Sequence, residues 1–352
     1  MRVLGSLTSM STSILPDVVV PGRANIIGEH TDYNEGLSLA FAVEQHVRIR
    51  AFQTNTPGVL VTDDNFGSWS TTQIESRDWH RQVRAVANEL ELDALEFRVS
   101  SSVPVGAGLS SSASFIGALV LAGGVRGDLW GVARCVQRCE ARSGSDVGVL
   151  DPLAALGSRH GEALLINFAT ATTTDISLPD GIAFSAVDSG VRRSLSTTAY
   201  AQRRRECVEA REILGGWASE HDLSDIADPI LRARARHVRS ESVRVTLAVA
   251  ALANSDAISL GEILGESHRS LSRDFDVSTT EIDHLVEVVN NTPGVFGSRL
   301  MGGGFGGSLI VAHDPHQPVE LAGHHVWPLR AVNGSFASLK WSRVDGSSTT
   351  GS

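Results

Sequence analysis

Apolar positions divide the chain into short alternating runs and longer runs with apolar residues every three or four positions. Residues 17 to 28, DVVVPGRANIIG, read as a strand, a Pro-Gly turn and a second apolar segment; residues 37 to 53 carry more strand-like sequence. From Trp79 the apolar positions recur at Val83, Val86 and Leu90, which predicts an amphipathic helix over 79 to 92. Residues 96 to 102 alternate like a strand and lead into VPVGAGLSSSAS, after which a small-residue helix runs from Ser111 to Ala122 and another from about 128 to 142.

ALLINF at 163 to 168 and IAFSAVDS at 182 to 189 read as strands bracketing the low-complexity run ATATTTD. A soft domain boundary is expected there, giving an N-terminal domain over 1 to 175, a C-terminal domain over 176 to 345 and a disordered tail over 346 to 352. The second part holds helices over 198 to 214, about 231 to 254, and through SLGEILGESHRSLSRDF and EIDHLVEVVNN. It then ends in a strand and glycine turn, SRLMGGGFGGSLIVAH. Helices clustered around split strands imply an α+β layered architecture.

Composition narrows the chemistry. The 352 residues are 42% hydrophobic and 20% charged, enough for two domains with sizeable cores. A net charge of −10 argues against binding to a nucleic-acid backbone, so no nucleic-acid partner is expected. No apolar run approaches the roughly 20 residues of a membrane span. Three cysteines are too few and too irregular for a disulfide framework and fit a reducing, cytoplasmic setting. Lys340 is the sole lysine among 30 basic residues, and it follows no glycine-rich turn. That excludes a P-loop and a protein kinase, both of which need a placed lysine.

Three segments carry the candidate chemistry. PGRANIIGEHTDYNEG, residues 21 to 36, puts Arg23 near Glu29, His30 and Asp32, a density of hydrogen-bonding groups that suits a polyhydroxylated ligand. The plainer alternative is a solvated charged turn. PVGAGLSSSAS, residues 104 to 114, opens a helix with small residues whose N–H groups can wrap an anion such as a triphosphate. SRLMGGGFGGSLIV, residues 298 to 311, places glycines around Phe305 ahead of an apolar strand, which indicates close backbone approach to a ligand, to the first domain, or to both.

Together and in this order the segments resemble the three signatures of the GHMP kinases, and GEHTDYN is similar to the galactokinase form of the first. The resemblance covers nearly the whole chain and implies a two-domain GHMP fold, with a ribosomal S5 domain 2-like N-terminal domain and a ferredoxin-like C-terminal domain. It implies phosphorylation of the anomeric hydroxyl of galactose with ATP as co-substrate and Mg2+ as cofactor, in a monomer. Arg23 would lie at the reacting phosphate. Asp151, in GVLDPLAALGSRHGEALLINF, would accept the proton of the sugar hydroxyl or stabilise it electrostatically. Glu29, His30 and Asp32 would bind sugar hydroxyls, Gly148 would contribute backbone, and Tyr200 would lie against the sugar. Gly106, Gly108, Leu109, Ser110, Ser111, Ser112 and Ala113 would hold ATP phosphates, and Ser112 and Glu140 would be the magnesium ligands.

Singly, Asp151 reads equally as a helix N-cap before Pro152, Tyr200 as core and Glu140 as surface charge on a helix. The chain also departs from the family pattern. Pro152 follows the candidate aspartate, the 140 to 151 interval is one residue short, Met301 stands for a threonine, and Gln82 stands for a tyrosine after Trp79. These departures keep open a related kinase of N-acetylgalactosamine or arabinose, and a sugar- and ATP-binding regulator.

Overall fold

The first long apolar segments pair with each other. β1 (Val18–Ile27) is buried along nearly its whole length and runs antiparallel to β2 (Leu37–Gln53). In β2, Ser38 to Val43 are covered on both faces, whereas from Val47 onward Val47, Ile49 and Ala51 turn inward and Arg48 and Arg50 outward. One strand thus carries both a fully buried and a half-solvated pattern. The structure, a computed structural model, describes residues 17–338 apart from positions 65, 146, 193–195 and 218–220. The expected tail over 346 to 352 lies outside the described residues.

Further along come β3 (Val59–Asp63), β4 (Gly67–Ser70), α1 (Asp78–Glu89), β5 (Leu95–Ser101), α2 (Ser111–Ala122), α3 (Leu129–Arg142) and α4 (Leu150–Gly157). β6 (Glu162–Asn167), β7 (Thr172–Ser177) and β8 (Ala183–Asp188) precede α5 (Ser196–Leu214), α6 (Pro229–Ala253), α7 (Ala257–Arg273) and α8 (Thr280–Asn290). β9 (Val295–Leu300), β10 (Ser308–His313), β11 (Val326–Leu329) and α9 (Ser335–Ser338) complete the described chain.

Seven strands form the first sheet, in the order β4-β3-β5-β2-β6-β7 with β1 on β2; only β3 with β5 is parallel. The second sheet is antiparallel with order β11-β8-β10-β9, the strand arrangement of a ferredoxin-like unit. α2 and α4 pack on β1 and β2, while α7 and α8 pack on β9. Every residue of β10 is buried because the strand is covered on both faces. Ile310 and Ala312 join the main core; Leu309 and Val311 join a second core with Leu271, Phe275 and Ile282.

Four sequence expectations change. Pro21 and Gly22 make no turn: β1 runs through them, with a register shift between Pro21 and Arg23. Pro21 has no N–H to give the ladder, and the Arg23 N–H bonds the Leu109 carbonyl at 3.2 Å instead. ATATTTD is no linker, since β7 pairs with β6 along its whole length. The change of sheet therefore falls between Ser177 and Ala183, and the boundary expected at 175 sits inside β7. Finally, the chain returns to the first sheet after β11. Val332 N–H bonds Ala42 O at 2.9 Å and Ser335 Oγ bonds Val19 O at 2.7 Å.

Cys135, Cys139 and Cys207 are free and buried. Among the described residues no helix is long and apolar enough to cross a membrane.

Candidate active site

The loop between β5 and α2 alternates inward and outward. Ala107 and Leu109 are 2% and 1% exposed, while Gly106, Gly108 and Ser110 face a cleft. Gly108 has φ +72° and Ser110 has φ +61°, left-handed conformations that turn the chain sharply into α2. The loop is held from two sides: its Leu109 carbonyl takes the Arg23 N–H of β1, and its Ala107 carbonyl takes the Ser308 hydroxyl of β10 at 2.7 Å. Ser111, Ser112 and Ala113 then stand in the first turn of α2, where the unpaired N–H groups and helix dipole favour an anion.

The turn after β1 forms the opposite wall. Glu29 is buried, and its Oε1 accepts from the Gly302 N–H at 2.6 Å and from Arg299 Nη2 at 3.1 Å. Arg299 is fully buried, and it also donates to Ile26 O, Asn25 O and Leu300 O at 2.6, 2.9 and 2.7 Å. From α6, Glu241 accepts the Gly28 N–H at 3.1 Å and His237 lies 3.2 Å from the Glu29 carbonyl. His30 pairs with the Tyr33 hydroxyl at 2.8 Å, and its ring lies 5.5 Å from that of Tyr200. Asp32 lies directly against Gly148, where any Cβ would overlap Asp32 Oδ2, so only glycine lets this backbone pass. Burial, then the nearby Asp151 carboxylate, pushes the Asp32 pKa up to about 6.

Asp151 sits where the two walls meet. It lies inside the first turn of α4, whose N-cap is Val149, so the N-cap reading fails. Its Oδ1 receives Arg23 Nε at 2.8 Å and Nη2 at 2.7 Å, and its Oδ2 receives the Ser110 hydroxyl. The same arginine donates Nη1 to the Gly108 carbonyl at 2.5 Å. One buried cation therefore spans the candidate catalytic carboxylate and the candidate phosphate loop.

The chain matches the model of the galactokinase galactose-binding signature over residues 18–51, of the GHMP kinases N terminal domain over 80–156 and of the GHMP kinases C terminal region over 248–326. It is 36% identical over 327 residues to a galactokinase from Roseiflexus, covering 84% of this chain and 83% of the relative. It is 35% identical over 327 residues to galactokinase from Bos taurus, covering 83% and 82%. The chain belongs to the galactokinase family of the GHMP kinases. Among solved structures, Lactococcus lactis galactokinase complexed with galactose is similar in fold, with a TM-score of 0.80 at 23% identity over 90% of this chain and 94% of that one.

Within this family frame the cleft measures about 460 Å³, and every site residue expected from the sequence lines it except Leu109. Leu109 packs into the core behind the loop, leaving only its backbone near the site. Sequence reading did not anticipate Ser145, Val147 and Ala201, which also line the cleft. In the third motif Gly302 to Gly304 line the cleft, and Ser308 beyond them bonds the Ala107 carbonyl in the loop between β5 and α2, so the run packs against the N-terminal part of the chain.

Glu140 is 3% exposed rather than a surface charge. Among the described residues its buried Oε2 has no hydrogen-bond partner, and its Oε1 lies 3.3 Å from Ser112 Oγ. Two oxygens in adjacent positions of an octahedral cation are about 3 Å apart at the 2.0–2.1 Å bond lengths of Mg2+. Burial, reinforced by the Asp151 charge, pushes the Glu140 pKa up to about 8. An unsatisfied acidic oxygen beside a hydroxyl at this spacing fits a hard cation. Among the described residues no group of three or more His, Cys, Asp or Glu side chains could hold a metal, so phosphate and water would complete the shell.

Proposed function

We propose that this chain transfers the γ-phosphoryl group of ATP to the anomeric hydroxyl of D-galactose, yielding galactose 1-phosphate and ADP. Glu29, His30 and Asp32 bind the sugar hydroxyls, the Gly148 backbone and the Tyr200 ring close over the sugar, and residues 106 to 113 hold the phosphates. Asp151 orients the 1-hydroxyl and takes its proton as the new O–P bond forms. Arg23 offsets negative charge on Asp151 and on the transferring phosphoryl group, whose loose transition state rewards positioning and charge neutralisation. Ser112 and Glu140 would hold Mg2+, which when bound neutralises charge on the β- and γ-phosphate oxygens.

The observation that carries this division of roles is the contact of Arg23 with both Asp151 and the Gly108 carbonyl, because it joins the sugar side to the phosphate side through one side chain. Three free, buried cysteines accord with a cytoplasmic enzyme. Coupled ADP release over a panel of sugars tests the activity, with galactose expected to give the highest kcat/KM. A higher value for N-acetylgalactosamine or arabinose would overturn the sugar assignment. Asp151→Asn keeps the side-chain shape and is expected to lower kcat by roughly 10²–10⁴ with binding of both substrates held within a few-fold. Turnover near wild type in that variant would remove Asp151 from the chemistry.

A further inference from the structure

Gln82 occupies the second turn of α1, and its Nε2 donates to Ser112 Oγ at 2.8 Å. The same hydroxyl lies 3.3 Å from Glu140 Oε1, to which it donates its proton. A serine hydroxyl has one proton, two lone pairs and three staggered rotamers. The Gln82 amide occupies one lone pair and thereby fixes both the rotamer and the direction of the proton. What is left is one lone pair on Ser112 at the entrance of α2, on the hydroxyl that bonds the carboxylate whose Oε2 has no partner among the described residues.

We propose that Gln82 is a positioning residue for the cation and phosphate end of the cleft: its amide holds the Ser112 hydroxyl so that a free lone pair and the Glu140 carboxylate face one divalent cation. This inference rests on the reading that Ser112 and Glu140 hold that cation. The Gln82 side chain bonds Ser112, at the entrance of α2, so its expected effect falls on the phosphate side of the cleft. The side chain is only partly buried on a surface helix, and replacing it leaves no deep cavity.

Gln82→Leu removes the donor and keeps the bulk. Loss of one such bond corresponds to a roughly 3–10-fold change in an equilibrium. The expected result is a 3–10-fold weaker affinity for Mn2+ with a non-hydrolysable ATP analogue, read by electron paramagnetic resonance, and a matching rise in KM for ATP. KM for galactose should stay within about two-fold and the melting temperature near wild type, a split that loss of packing alone would not give. Glu140→Gln, measured in parallel, separates the two claims. If Glu140→Gln leaves Mn2+ affinity unchanged, the assignment of the cation ligands fails. If Glu140→Gln weakens Mn2+ binding and Gln82→Leu does not, or if Gln82→Leu raises the galactose and ATP KM values equally, the positioning role of Gln82 is overturned.

Discussion

Asp32 is held in the fold at a cost to stability, which its proposed role as a sugar ligand would account for. Burial first, and the like charge of Asp151 second, raise its pKa from 3.8 to about 6 in the folded protein. A raised pKa means that the folded state holds the proton more tightly than the unfolded chain. The stability linked to that proton is fully present below the unfolded value and is lost as pH rises through about 6. Asp32→Asn escapes this loss, so at pH 8 the ligand-free variant is expected to be more stable by on the order of 2 kcal/mol. Its galactose affinity should nonetheless collapse, and wild-type affinity should decline as pH falls below about 6. Denaturation at pH 5 and pH 8, with calorimetry of galactose binding, checks both; unchanged galactose affinity in Asp32→Asn would end the argument. At this scale the motif residues were legible because their chemistry is concentrated in short segments. Arg299 was not: an arginine between Ser298 and Leu300 in a strand carries no local mark of burial, and its partner Glu29 is far away in sequence. Gln82 was visible only as a departure from the family pattern, and its contact with Ser112 required the fold.

α6 reads in sequence simply as a long helix over about 231 to 254, yet four of its polar residues face inward. Arg234, His237, Glu241 and Arg244 are all buried, and their spacing of three and four puts them on one stripe. Glu241 is the centre of that stripe, pairing with Arg244 at 2.7 Å, accepting from Ser267 at 2.7 Å and holding the Gly28 N–H of the turn after β1. Glu241→Ala leaves the Arg244 charge without its partner inside the protein, which costs about 3–5 kcal/mol. The expected outcome is a fall in urea-unfolding stability of that size, together with a raised KM for galactose as the Gly28 to His30 turn loosens. A stability loss below about 1 kcal/mol would mean that the stripe is solvated in solution. α1 ends at Glu89, three residues short of the expected 92, whereas α2 was legible to the residue and β5 to within one. β7 was not, because an edge strand of Thr172 to Thr174 and Asp175 is exposed on alternate positions and contributes little to the core, so its β-branched residues looked like low complexity.

Over the whole molecule, the α+β layering and the order of the three motifs were legible, but the polar part of the joint between the two sheets was not, since it adds buried contacts between distant segments to the apolar core that the sheets share. β9 of the second sheet reaches β1 of the first through Arg299, which binds two β1 carbonyls and the Glu29 carboxylate, while Gly302 beyond β9 bonds the same carboxylate oxygen. The turn after β1 and the third glycine run are thereby one mechanical unit. Arg299→Met removes the cation and leaves Glu29 buried with a charge, so a loss of about 3–5 kcal/mol is expected. Glu29→Gln alone should cost less, because the amide oxygen still accepts from Gly302. In the double variant the stranded charge is gone, and the combined loss should fall short of the sum of the singles by about 1–3 kcal/mol, as for residues in direct contact. Chemical denaturation of the four proteins gives this coupling. The galactose-induced rise in melting temperature should also shrink in Arg299→Met, because the sugar wall is no longer held to the second sheet. Strict additivity in the cycle, together with an undiminished galactose shift, would show that the two sheets are joined by apolar packing and that Arg299 merely accompanies it.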